Sequence, residues 1–356
     1  SVHAFALDPE RGVWILGMLG VSAVAGFLLF ALRAGSLGEG DGFEPTSKEA
    51  LIGANNLLLA ATSGVVLVGT LYPMLLEMLG GATISVGAPY FNAAATPLLL
   101  IAALLMPIAP FLPWANGGLK NAVSQMRAAL MLIPVAAVIV ALLMAGASPL
   151  AIVGGAIGVW AISGAVMDLG QSLPVAMARG QKLMVTGRVL AHAGVGFIAL
   201  GAAADASRPP DQNLALAPGE SVEIAGRTLT LDGVRRADGP NYMADRARLV
   251  IDDGEGGVME PERRFYAGAN QTTREVALKS SIAGDLYASV GEARMREDGT
   301  TAFETRIAFH PLVWALSLGA IFIVLGGALS LGGRLRARSV LPGTERTTQP
   351  AMEASS

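Results

Sequence analysis

Seven stretches of the chain are nearly continuous in apolar side chains: approximately Val13–Leu32, Leu51–Leu76, Thr96–Leu112, Ala128–Ala145, Ala151–Val166, Leu183–Ala203 and Pro311–Leu331. About 20 such residues in a helix cover roughly 30 Å of hydrocarbon, so each stretch predicts a membrane-spanning helix. The third, fourth and fifth are short or broken by Pro and Gly. Between the sixth and seventh runs, at about Asp205–Phe309, the pattern changes. Short alternating runs at Ser221–Ile224, Thr228–Leu231, Arg246–Ile251, Arg263–Tyr266, Asp285–Val290 and Thr301–Phe309 predict strands. In the last of them Phe303, Ile307 and Phe309 alternate with Glu304, Arg306 and Ala308, the period of a half-buried strand. Turn sequences such as Ala237-Asp238-Gly239-Pro240 and Asp252-Asp253-Gly254-Glu255-Gly256-Gly257 separate the runs. The expected fold is a polytopic α-helical membrane protein of about seven helices. A small, mostly β domain, a sheet or barrel, stands outside the membrane between the last two.

The expected organisation is a six-helix bundle over residues 1–204, a β domain over 205–309, a final helix over 310–333 and a polar, disordered tail over 334–356. Orientation follows from Lys and Arg, which concentrate on the cytoplasmic side. With the N-terminus outside, the inner segments hold Arg33 and Lys48, then Lys120 and Arg127, then Arg179, Lys182 and Arg188, then Arg334, Arg336, Arg338 and Arg346. The short outer segments hold only Arg11. This predicts an outer N-terminus and β domain with an inner C-terminus.

Composition narrows the classes further. Of 356 residues, 53% are hydrophobic and 15% charged, below the roughly 25% charged of soluble domains. The 44 glycines suit helices whose backbones approach closely. With no Cys, disulfide scaffolds, cysteine-zinc sites and thiol catalysis are excluded. A net charge of −3 gives no footprint for nucleic acid. Walker A loops, H-E-x-x-H pairs and G-x-S-x-G elbows are absent, so ATPase, zinc-protease and hydrolase chemistry has no anchor. The opening Ser1-Val2-His3-Ala4-Phe5 has no initiator Met, basic n-region or cleavage site, which reads as a piece of something longer.

Three histidines are the candidates for chemistry. His192 falls about 10 Å along the sixth expected helix, where an ionisable group is costly and marks a pathway, relay or cofactor. Its neighbours Ala191, Ala193, Gly194 and Gly196 leave open space for a flat cofactor, and imidazole is a common axial ligand of haem iron. The alternative is a neutral His bonded to a neighbouring helix. His3 is expected at the outer interface and His310 at the junction of domain and helix. Asn55 and Asn56 are expected to hydrogen-bond between helices, and Glu77 and Asp168 to be solvated at helix ends.

The landmarks, taken in order, resemble those of one family. They are Ser1-Val2-His3-Ala4-Phe5-Ala6, Asp8-Pro9, Arg11-Gly12, Asn55-Asn56, Gly69-Thr70-Leu71-Tyr72-Pro73, Ile84 to Asn92, Ala191-His192-Ala193-Gly194, Gly239-Pro240-Asn241-Tyr242 and Asp285-Leu286-Tyr287. Singly weak, in this order and at these separations they resemble the C-terminal part of CcmF, the haem lyase of bacterial cytochrome c maturation. The resemblance implies that His192 is one of two axial ligands of a stable haem b. It also implies that His3 receives a second haem, the substrate, at the outer face. In the family, the two cysteine thiols of an apocytochrome CxxCH segment then add across the haem vinyl groups, with the iron kept reduced.

The family's tryptophan-rich loop, its first periplasmic histidine and its first transmembrane histidine lie upstream of the matched region. The resemblance therefore implies that activity needs an N-terminal half bearing them. Further implied partners are the haem chaperone CcmE, apocytochrome c, and its presenting subunits CcmH and CcmI, all at the bacterial inner membrane. The outer domain and the loop Ile84–Asn92 are candidates for docking a partner or roofing the haem. The rival from another class is a transporter in which His192 relays protons and the outer domain captures substrate. Against it stand the absence of a recognisable inverted repeat and the scarcity of other ionisable groups in the helices.

Overall fold

The computed structural model describes residues 9–35, 42–80, 84–143, 147–252, 256–268 and 270–340. The chain divides into two compact units, residues 1–127 and 128–356. In the first unit α1 (Pro9–Ala34) and α2 (Lys48–Met78) are long and apolar. Ser47 caps α2 by accepting from the Ala50 N–H at 3.3 Å. The start of α2 is fastened to the segment that follows the third expected span. There the Lys48 N–H donates to the Pro113 carbonyl at 3.0 Å, and the Ala115 N–H donates to the Glu49 carboxylate at 2.9 Å.

The third expected span, Thr96–Leu112, is not one α-helix: α4 (Thr96–Leu105) passes into a 3₁₀ segment (Met106–Phe111). A short α3 (Ala88–Ala94) precedes it, beginning within the expected outer loop, and the two are bent by 40° at Ala95. Pro97, Pro107 and Pro110 each remove a backbone donor, which accounts for the broken course. The landmark loop folds back onto α2, where the Tyr90 hydroxyl donates to the Val65 carbonyl at 3.1 Å. A Cβ at Gly69 would lie 2.5 Å from the Tyr90 ring, so only glycine admits that ring here. A short α5 (Leu119–Gln125) ends the unit.

Among the described residues, the second unit holds α6 (Arg127–Leu143), α7 (Pro149–Ala178), α8 (Lys182–Ala206), ten strands and α9 (Val313–Val340). Hydropathy places the end of the fifth span at Val166, yet α7 runs on to Ala178 and closes at Gly180, φ +68°. Polar Asp168, Gln171 and Ser172 end the apolar run without ending the helix. The last span likewise continues as helix through Arg334 and Arg336, where a disordered tail was expected. Among the described residues, five helices are long and apolar enough to cross a membrane. They become seven if each of two bent pairs is one span.

The strands are β1 (Gln212–Leu216), β2 (Ser221–Ile224), β3 (Arg227–Asp238), β4 (Met243–Asp252), β5 (Gly257–Met259), β6 (Glu262–Tyr266), β7 (Gln271–Glu275), β8 (Ala277–Ser281), β9 (Gly284–Met295) and β10 (Thr301–Pro311). They form two antiparallel sheets, ordered β1-β10-β9-β8 and β2-β3-β4-β6-β7, with β5 paired to β4. Inward side chains of both sheets build one core, including Leu229, Leu231, Leu249 and Ile251 from one and Leu286, Val290 and Ile307 from the other. The result is a sandwich. The alternation expected in β10 is modified, because a bulge between Phe303 and Thr305 shifts its register. Ala302, Thr305, Ile307, Ala308 and Phe309 are buried, while Phe303 is only half-buried.

Candidate functional site

The glycines of α8 and α9 answer one another. Gly187, Gly194 and Gly201 stand seven residues apart on α8, and Gly319, Gly326 and Gly333 seven apart on α9. A Cβ on Gly187 would lie 2.5 Å from the Gly326 carbonyl oxygen, and one on Gly194 2.6 Å from that of Gly319. The pairs run in opposite order along the two helices, so the helices are antiparallel and their backbones touch along one stripe. On another side of α8, a Cβ on Gly196 would lie 2.8 Å from the Gly158 carbonyl oxygen of α7. In a membrane, where apolar burial does not separate helix from lipid, such close contact is what drives association.

This corrects the expectation of open space at His192. Gly194 is filled by the backbone of α9, and Gly196 by that of α7. Neither is a slot for a planar group. The imidazole itself is half-buried and makes no hydrogen bond to another described residue. It is therefore not the neutral His bonded to a neighbouring helix that the sequence left open.

One turn before it on α8, Arg188 shares its face. Arg188 donates from Nε to Asp168 Oδ2 at 2.9 Å and from Nη2 to Asp168 Oδ1 at 2.7 Å. The Ser172 hydroxyl donates to the same carboxylate at 2.6 Å, and Arg188 Nη2 also reaches that hydroxyl at 3.2 Å. Asp168 is 1% exposed. The expectation of a solvated Asp168 at a helix end is thus wrong, because α7 continues ten residues past it. Arg188, counted with the inner loop charges, is instead spent on this pair. The cluster was missed because hydropathy ended the fifth span too early. The signal was present as Asp168 and Ser172 at i,i+4 on one face.

The remaining candidates fall as follows. His3 lies outside the described residues. His310, on β10, sits with Nδ1 2.7 Å from Asp205 Oδ1 at the end of α8, and so ties the sandwich to that helix. Asn55 is half-buried and Asn56 exposed, and among the described residues neither makes the expected interhelical bond. Glu77 is exposed in the last turn of α2, as expected. In the sandwich, Gly239 gives room to the Tyr242 ring, against which Arg264 stacks at 4.4 Å.

These residues bear on whether a haem fits. One imidazole with both nitrogens unclaimed by the described residues can supply one axial bond to an iron already held in a porphyrin. Among the described residues, no group of three or more His, Asp or Glu could hold a bare ion.

Comparison with known proteins gives a consistent result. Residues 210–311 match the family model described as the CcmF C-terminal beta-sandwich. The chain is 37% identical over 360 residues to the cytochrome c-type biogenesis protein CycK of Bradyrhizobium diazoefficiens, covering 98% of this chain and 54% of that protein. It is 33% identical over 337 residues to the cytochrome c-type biogenesis protein CcmF of Pseudomonas fluorescens, covering 93% and 50%. The chain thus spans about half the length of the curated relatives it matches. A solved structure named Cytochrome c Heme Lyase CcmF shares the fold, with a TM-score of 0.64 at 23% identity, over 81% of this chain and 46% of that one. With five or more helices long and apolar enough to cross a membrane and a β domain between the last two, the chain carries the C-terminal β-sandwich of the CcmF family and resembles that family's C-terminal part along nearly its whole length.

Proposed function

We propose that the chain is the C-terminal part of a haem lyase of the bacterial inner membrane, acting in cytochrome c maturation. In this reading His192 is an axial ligand of a haem b within the helices. His3 receives the substrate haem at the periplasmic face. The N-terminus and the sandwich are periplasmic and the C-terminus cytoplasmic. The partners are an N-terminal half bearing the tryptophan-rich loop, the haem chaperone CcmE, apocytochrome c, and CcmH and CcmI. The observation that carries the reading is the imidazole of His192, bonded to no other described residue, on a helix packed backbone to backbone against two others, in a chain whose relatives are named cytochrome c-type biogenesis proteins.

The reaction joins each cysteine of a CxxCH segment to one vinyl group of the substrate haem. The sulfur bonds to the vinyl carbon next to the ring and the thiol hydrogen goes to the terminal carbon, so no oxidant is consumed. Haem b, when bound, supplies an electron relay that keeps the substrate iron reduced. This chain's own residues do the holding. His192 offers one nitrogen from a helix fixed on two sides, and the His310–Asp205 contact couples the sandwich to the outer end of that helix.

The test is co-expression with the N-terminal half and a reporter apocytochrome, scoring covalently bound haem. His192→Ala and His3→Ala are each expected to abolish the product, with full product from both variants contradicting the reading. The transporter alternative gains one observation, the ionisable pair Asp168–Arg188 near His192. Yet Asp168 is closed off by Arg188 and Ser172. A purified protein without Soret absorbance that takes up solute under a pH gradient would favour it.

A further inference from the structure

Asp168 and Arg188 put two opposite charges into an apolar helix pair, where ionisable residues are costly and are kept for a use. Holding α7 to α8 does not require them, because the Gly158–Gly196 backbone contact already does so. The pair is built for one geometry: two parallel N–H bonds at 2.7 and 2.9 Å, with Ser172 closing the carboxylate from the side. Arg188 lies one turn from His192, and His192 is within electrostatic reach of both charges.

We propose that the Asp168–Arg188 pair is a positioning device for His192 that also sets the redox balance of the iron His192 binds. The fork adds to the glycine contacts in fixing the rotation of α8 and so the direction of the imidazole. The two charges act on His192 in opposite senses, so neither acts alone while the pair is intact. This rests on His192 being the haem b ligand, and it adds a role that the ligand alone does not supply.

The signs separate this role from mere structural support. Asp168→Asn leaves Arg188 positive one turn from His192, which would favour the reduced form of an iron bound there. Arg188→Gln leaves Asp168 negative, which favours the oxidised form. At an effective dielectric of about 20, one uncompensated charge is expected to shift the reduced-to-oxidised ratio by about tenfold or more. The experiment is an equilibrium redox titration of haem b in the complete haem-loaded complex, followed by its visible absorbance.

Opposite shifts in the two single variants, and a return towards the parent in the double variant Asp168→Asn/Arg188→Gln, support the proposal. Shifts of one sign, or none, overturn it. Arg188→Lys covers the case in which a single variant loads no haem: it keeps the charge and loses the fork. A parent-like potential with a broadened or shifted Soret band is expected for it, and a shift towards the oxidised form overturns the proposal. His192→Ala separates the two levels of the reading. Haem b retained at full stoichiometry there defeats the ligand assignment, while haem b lost there together with same-sign shifts defeats only the role of the pair.

Discussion

Two regions of the second unit solve the same packing problem by opposite means. The sandwich buries large side chains against one another: Leu229, Leu231, Leu249, Leu286 and Ile307 are all at 1% exposure or below. Helices α7, α8 and α9 instead meet through the absence of side chains, at Gly158–Gly196, Gly187–Gly326 and Gly194–Gly319. The difference follows from the solvent. In water, removing apolar area is itself the driving force. In lipid it is not, so close backbone contact and a few polar bonds must do the work.

The contrast is broken most severely at Gly194. Gly194→Leu drives a branched side chain into the α9 backbone and is expected to abolish the α8–α9 pairing. Thermal unfolding in detergent should then show no cooperative helix transition, while sandwich amides stay protected from hydrogen exchange. Leu249→Ala, at the sandwich centre, should cost about 2–5 kcal/mol. Faster hydrogen exchange confined to the strands would show it, and helix exchange should not change.

A smaller effect is expected at the sandwich surface. Hydrogen bonds from Arg296, together with the Ala217 N–H, hold the Glu220 carboxyl down from 4.5 to about 2. A carboxyl lowered on folding stabilises the fold above its unfolded value and loses that contribution as pH falls through its folded one. Glu220→Gln should therefore be less stable than the parent above pH about 4.5, with the gap closing towards pH about 2. Comparing acid unfolding curves of the two proteins checks this. Least of all should change at Gly327, where a Cβ meets nothing within 4 Å. Gly327→Ala is expected to be neutral or to gain less than about 1 kcal/mol of helix stability.

The apolar runs made most of the helices legible, because hydrocarbon imposes length and composition directly. Their ends were less so. Hydropathy stopped at Val166, although the backbone of α7 continues past a buried ion pair that a hydropathy sum scores as an interruption. Among the strands, the six expected runs all lie within strands, while β1, β5, β7 and β8 carried too little alternation to be seen. β7, Gln271–Glu275, has no aliphatic residue to alternate. At the candidate site, the position of His192 on an apolar helix was legible. Its surroundings were not, since small residues read equally as a slot for a ligand or as a seat for another helix, and only the positions of Gly158 and Gly319 decide between them.

Whether His192 grips iron is measured most directly by quantifying haem b in purified complexes bearing His192→Ala, with Gly327→Ala as the control. Loss of the haem b absorbance from the first, at unchanged helix content and with the control still loaded, is the expected result. Haem b at parental stoichiometry in His192→Ala would contradict it.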